Sequence, residues 1–171
     1  MELVRLRLDH QTALREFLDE FAHAGEPETP AFLVDRNLPH ARIVELLDAW
    51  SRGEQLEEDW VPSTTWFLAE AGRLLGVANL RHRLTPSLRR FGGHVGYSVR
   101  PSERGNGYAT LLLEEVKRRA QDMGLSRLLV TCAPANEASA RVIAKCGGRY
   151  EDVSFYAPAG HSVCRYWISL E

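Results

Sequence analysis

The stretch that decides the fold is 99–109, VRPSERGNGYA, together with the apolar run HVGYSV at 94–99 that leads into it. The apolar run stops at Arg100-Pro101, Gly105 and Gly107 flank Asn106, and a helical pattern begins at once. A helix N-terminus presents unpaired N–H groups and roughly half a positive charge. Glycines ahead of it let the backbone curl inward with no Cβ in the way. The N–H groups then converge on one point and form an anion site. Each charge-assisted N–H bond to a phosphate is worth about 1.5–3 kcal/mol. The strand fixes where the loop starts, and Pro101 stiffens its entry. The expectation is therefore a phosphate cradle over 104–109. It is not a P-loop, which ends in Gly-Lys-Ser/Thr, because Gly107 is followed by Tyr108-Ala109. It is not a dinucleotide fingerprint either: Thr110 replaces the third glycine, and the next strand ends in Thr131-Cys132 rather than in an acid. Two glycines alone are also compatible with a turn that holds nothing.

Downstream, Ala109, Leu112, Leu113, Val116 and Ala120 recur at helical spacing, with Gly124 at the C-cap position. Glu114–Arg118 and Glu115–Arg119 are placed as i,i+4 pairs. RLLVTC at 127–132 reads as a buried strand, and a helix between it and 94–99 makes the two parallel. Asn136 caps a helix to about Lys145, Gly147-Gly148 end it, and strands near 149–156 and 162–169 close the chain. Upstream, LVRLRL at 3–8 alternates as a strand, and Asp9 caps a helix to about Ala22. A loop follows over 24–38, and then Pro39 opens a helix carrying Ile43, Leu47 and Trp50. TTWFLAE at 64–70 and LLGVANLRHR at 74–83 form a hairpin across Ala71-Gly72-Arg73. The expected architecture is α/β: one mixed, mostly antiparallel sheet of about seven strands with helices on both faces. No linker or repeat breaks 1–171, so a single domain is expected.

The 171 residues suffice for a sizeable core, and 44% apolar with 26% charged residues is a soluble composition. A net charge of −2 offers no global field for nucleic acid or an anionic membrane. No apolar run approaches the roughly 18 residues of a membrane span, and the alternating start MELVRLRLDH is no signal peptide. Cys132, Cys146 and Cys164 are widely spaced and lack a C-x-x-C pair, so free thiols in a reducing, cytoplasmic compartment are expected, with no metal site. Residues 81–104 hold six arginines against one acid, Glu103, and could take an anion. Only Lys117 and Lys145 are lysines among the 21 basic residues, so arginine is the default base here and a single one is weak evidence.

At this point the sequence resembles the GNAT superfamily of acetyl-CoA-dependent N-acetyltransferases. The family's cofactor motif, Arg/Gln-x-x-Gly-x-Gly/Ala, is met by Arg104-Gly105-Asn106-Gly107-Tyr108-Ala109. The strand end Val-x-Pro is met by Val99-Arg100-Pro101, and Asn-x-x-Ala/Ser by Asn136-Glu137-Ala138-Ser139. The stretch 93–109 looks most like a branch of bacterial acetyltransferases. The resemblance implies a sheet whose central parallel pair splays apart for the cofactor, acetyl-CoA. The amides of Arg104, Gly105, Asn106, Gly107, Tyr108 and Ala109 would hold its diphosphate. Tyr97, Ser98 and Val99 would pair with its pantetheine arm, faced by Asn136 and Ser139.

The implied reaction is attack of a neutral amine on the thioester. A lysine-like amine, with a pKa of about 10.4, is mostly protonated at neutral pH, a shortfall of about 4–5 kcal/mol, so a general base is useful. The family often has a glutamate at the position of His94, whose imidazole titrates in a suitable range. His82 is the alternative. Where the family carries a tyrosine acid this chain has Ile143, which leaves the thiolate to Tyr150, Tyr156 or water, and also leaves open a binding module that no longer catalyses. Arg81 and His82, with the arginines of 83–90, suggest an acid-bearing small molecule or peptide terminus. Cys132 and Cys146 read as packing, Trp60 as core or lid, and the apolar 163–170 (VCRYWISL) as a candidate pairing strand for a homodimer.

Overall fold

The computed structural model describes residues 1–26, 37–156 and 160–170. Its elements are β1 (Glu2–Val4), α1 (Gln11–His23), α2 (His40–Ser51), β2 (Ser63–Glu70), β3 (Arg73–Arg81), β4 (Val95–Val99), α3 (Tyr108–Asp122), β5 (Arg127–Cys132), α4 (Glu137–Lys145), β6 (Arg149–Tyr156) and β7 (His161–Ser169). Seven strands make one sheet in the order β1-β2-β3-β4-β5-β7-β6. Every pairing is antiparallel except β4 with β5. This is the mixed α/β sheet that the sequence pattern predicts.

Strand alternation divides the core between two helix layers. Phe67 of β2 and Val77 of β3 face Phe17 and Phe21 of α1 and Leu47 of α2. Trp66, Leu68 and Ala78 point the other way, against Leu112, Leu113 and Val116 of α3 and Ile143 of α4. A bulge adjusts the register. Leu68 pairs with Gly76 and Ala69 with Leu74, so Leu75 is the extra residue.

Several local expectations are corrected. The first strand stops at Val4, because the chain enters a 3-10 turn at Leu8–His10. Asp9 does not cap α1; its carboxylate meets Arg7 at 3.0 Å, and α1 starts after His10. On α3 the ion pairs fall at i,i+3, Lys117 with Glu114 and Arg118 with Glu115, while Arg119 lies over the Trp66 ring at 5.1 Å. Trp60 stacks edge-on against Trp50 at 5.1 Å. The final strand cannot pair across a dimer through its edges: β7 is flanked by β5 and β6. Most of the loop expected over 24–38 lies outside the described residues. Among the described residues, no helix is long and apolar enough to cross a membrane.

The feature that positions the site is the join between β4 and β5. β4 pairs with β3 along its whole length, from Val95 to Val99, but meets β5 at one register position, Val95 with Val130. Beyond it the two strands part.

Candidate active site

A cleft of about 740 Å³ fills the gap between the parted strands. One wall is β4, Val95 to Val99; the other is Thr131 and Cys132 of β5 with Asn136 and Ser139 at the start of α4. One end reaches Gly105, Gly107 and Tyr108, and the other reaches Arg81 and Gly92.

At the first end, Gly105 and Gly107 have φ of +83° and +82°, left-handed values that glycine adopts without strain. No atom lies within 4 Å of where a Cβ would sit on either, so the loop backbone is open to a ligand. The first helical bond of this segment runs from Leu111 N–H to the Gly107 carbonyl at 3.1 Å. Among the described residues, the amides of 105–110 are therefore left for an outside acceptor, whereas the expected Arg104 amide is taken by the Pro101 carbonyl at 3.4 Å. A diphosphate fits that donor set. Asn106 is held within the loop, its Nδ2 donating to the Glu103 carbonyl at 3.2 Å. Arg104 reaches back rather than into the loop. Its Nε donates to the Val99 carbonyl at 3.2 Å, and its Nη2 meets Glu26 at 2.6 Å.

Along the middle, Arg100 N–H bonds the Leu75 carbonyl and Arg81 N–H bonds the His94 carbonyl, so even-numbered β4 positions face β3. By alternation, the N–H and C=O of Tyr97 and the N–H of Val99 face the gap, where an extended arm can pair with them, while the Val99 carbonyl is taken by Arg104. The Tyr97 hydroxyl lies 2.7 Å from Ser139 Oγ. Burial pushes the phenol up to about 12 against the opposing pull of Ser139, so it keeps its proton at neutral pH. Asn136 caps α4 by accepting Ser139 N–H at 3.0 Å. Burial also raises both Cys132 and Cys146, the latter to about 12, which suits packing rather than nucleophilic thiols.

Three expected residues stand apart from the walls. His94 lies just before β4, buried against β5. Its N–H donates to the Leu129 carbonyl at 2.7 Å, and its Nδ1 accepts Leu129 N–H at 2.8 Å. Gly93 permits this approach, since a Cβ there would fall 2.5 Å from the Leu129 carbonyl oxygen. Burial first, then the charges of Arg89, Arg81 and Arg127, push the imidazole down to about 4. It is neutral, with its proton on Nε2 because Nδ1 is accepting. Neither nitrogen then has a free lone pair, so the expected base role does not fit this geometry. His82 turns to the β2 side, bonding Thr64 Oγ1 at 2.9 Å. Tyr150 is 58% exposed on the edge strand β6, with its ring 5.6 Å from Tyr166. The Tyr156 side chain lies outside the described residues.

The sequence reading missed Thr131 and Cys132 as wall residues, and Ala138, Val142 and Lys145 on α4. The signals were present: β5 had to flank the splay, and 138, 142 and 145 share one helix face.

A family model described as the acetyltransferase (GNAT) domain matches residues 3–149. The chain belongs to the GNAT acetyltransferase family. Its enzymes take their acetyl group from acetyl-CoA, so this GNAT protein is an acetyl-CoA-dependent acyltransferase. Solved structures share the fold at low identity. The ribosomal-protein-S5-alanine acetyltransferase of Vibrio fischeri aligns with a TM-score of 0.73 at 15% identity, over 99% of this chain and 92% of that one. RimJ of Mycobacterium smegmatis, in complex with CoA-disulfide, gives 0.69 at 23% identity, over 98% and 80%. The yncA protein of Salmonella typhimurium, solved with its cofactor acetyl-CoA, gives 0.64 at 17% identity, over 99% and 94%. No curated protein matches the GNAT chain in sequence. Within this GNAT fold, the glycine-loop amides and the β4 edge are the groups suited to hold the cofactor.

Proposed function

We propose that the protein, acting as a single domain over 1–171, moves an acetyl group from acetyl-CoA to the primary amine of a small molecule or peptide N-terminus. The observation that carries this reading is the continuous cleft from the open amides of the glycine loop, past the Tyr97–Ser139 pair, to Arg81. When bound, acetyl-CoA supplies an acetyl thioester, whose carbonyl carbon a neutral amine can attack. The amides of 105–110 neutralise diphosphate charge, and the helix start adds its dipole. Tyr97 and Val99 orient an extended arm with their backbone groups, as a neighbouring strand would. An N–H of that edge is placed to stabilise negative charge on a carbonyl oxygen.

Proton movement falls to few groups. Tyr97, held protonated by burial, is the donor inside the cleft and takes the place of the tyrosine missing at Ile143. The cleft carboxylates Glu26 and Glu103 are engaged by Arg104 and Arg73. His94 has its Nδ1 occupied. Among the described residues, the amine's proton is therefore passed to water at the Arg81 end. The unpaired Cys132, Cys146 and Cys164 support a reducing, cytoplasmic setting.

The test is incubation with acetyl-CoA and a panel of amines while free thiol is followed. Amine-dependent thiol release is expected. Tight acetyl-CoA binding with no turnover on any amine would overturn the transfer reading.

A further inference from the structure

Two arginines on the cleft walls are neutralised locally, Arg104 by Glu26 at 2.6 Å and Arg141 by Glu137 at 3.2 Å. Arg81 is not. It ends β3 at the far end of the cleft from the glycine loop, and its N–H donates to the His94 carbonyl at 2.8 Å. Its Nη1 is pinned between the carbonyls of Gly92 and Gly93, at 3.0 and 3.1 Å. Among the described residues, Nε and Nη2 have no partner and no carboxylate pairs with the guanidinium. Burial alone holds its pKa below the usual value, with no acid opposing it.

The surroundings add positive charge. Arg89 and Arg127 act with Arg81 on the same buried His94 ring. Arg165, which donates to the Arg89 carbonyl at 3.0 Å, is answered by Asp152 at 2.6 Å and Glu151 at 3.2 Å. Arg81, which lines the cleft, thus keeps a partly buried charge with unused donors, an arrangement that costs free energy until an anion completes it. The unused edge is also specific. Nε and Nη2 project two parallel N–H groups from one side of the guanidinium plane, the spacing that matches a carboxylate.

We propose that the Nε–Nη2 edge of Arg81 receives a carboxylate of the acceptor, so that the acceptor is a small primary amine carrying a carboxylate, of the amino-acid type. This rests on the acetyl-transfer reading and narrows it. The same guanidinium repels polycationic amines, so spermidine is a poor acceptor for this chain.

The experiment compares the common amino acids, their carboxamides and spermidine as acceptors for wild type, Arg81→Gln and Arg81→Lys. The Gln variant keeps a donor for the Gly92 carbonyl while removing the charge; melting curves confirm that each variant folds. Expected is a preference in kcat/KM for acids over carboxamides of about ten- to a hundredfold, the value of one or two charge-assisted bonds. That preference should vanish in Arg81→Gln and return in part in Arg81→Lys, with acetyl-CoA affinity unchanged by calorimetry. Equal use of acids and carboxamides by wild type, or a preference unaltered in Arg81→Gln, would overturn the assignment. Calorimetry with the N-acetyl amino acids reads the site without catalysis. Binding abolished by Arg81→Gln sustains the anion site even where no amine turns over, in which case only the transfer reading fails. Identical binding to wild type and Arg81→Gln would remove the anion site even where amines are acetylated.

Discussion

Tyr97 of β4 and Ser139 of α4 join their hydroxyls at 2.7 Å across the cleft. The bond ties β4 to the helix that forms the opposite wall of the cleft, and it holds a protonated phenol between them. Tyr97→Phe should fold normally, since the ring packs against the α3 and α4 core. Its kcat is expected to fall by about a hundredfold, the usual range for a lost general acid, with acetyl-CoA affinity within about threefold. Steady-state kinetics with calorimetry checks this, and a kcat near wild type would take Tyr97 out of the proton path.

Gly107 separates charge from backbone strain in the proposed diphosphate cradle. Its φ of +82° makes any side chain costly, but nothing lies within 4 Å of a Cβ there. Gly107→Ala therefore reports strain alone, on the order of 1 kcal/mol of stability. Gly107→Asp adds a carboxylate beside the amides. It should weaken acetyl-CoA binding by at least about tenfold beyond the Ala variant. Equal dissociation constants for the two folded variants would mean that the diphosphate lies elsewhere.

The glycine loop, the α3 and α4 helices and the parallel pair were legible in the sequence because each rests on local rules: φ freedom, capping and a strand–helix–strand order. What escaped the sequence depends on which partner lies across space. Arg100 and Arg104 count among the arginines of 81–104 that could take an anion until Glu20 and Glu26, about 80 residues upstream, are seen to hold them. His94 sits where a base is expected, but its ring turns toward Leu129 because Gly93 lets the chain press against β5. The last strand looked like a dimer edge until the order β5-β7-β6 placed it inside the sheet.

The Glu20–Arg100 pair fastens α1 to the start of the motif loop, and the two partners are unequal. The Arg100 side chain is 9% exposed and that of Glu20 24%. Glu20 also accepts Ser102 N–H at 2.5 Å. Removing Glu20 strands a buried guanidinium, whereas removing Arg100 leaves a carboxylate that water can reach. Glu20→Ala should therefore cost more than Arg100→Met, about 2–3 kcal/mol against roughly half that. Burial acts to raise the Glu20 pKa, but Arg100 and Ser102 outweigh it and hold the carboxyl below its ordinary value. Its contribution is present above about pH 4.5 and is lost as pH falls through the depressed value. Urea unfolding of both variants at neutral pH checks the order, and a larger loss in Arg100→Met would reverse the assignment of which group is stranded.

His94 makes stability depend on pH in a window of its own. Its folded pKa is about 4 against 6.5 for the free side chain. Between those values the unfolded chain binds a proton that the folded chain refuses. Stability is therefore full above about pH 6.5 and declines as pH falls toward 4, by on the order of 3 kcal/mol. The Glu20 effect begins only near pH 4.5, at the acid end of that window. His94→Asn can still accept Leu129 N–H through its side-chain oxygen but cannot titrate. The variant should lose much of the drop in Tm between pH 7 and pH 5 while keeping a kcat within about threefold of wild type. A variant with unchanged pH dependence would show that the ring is already solvated. A hundredfold loss of kcat with intact acetyl-CoA binding would return His94 to the role of general base, reached by a turn of the imidazole away from Leu129.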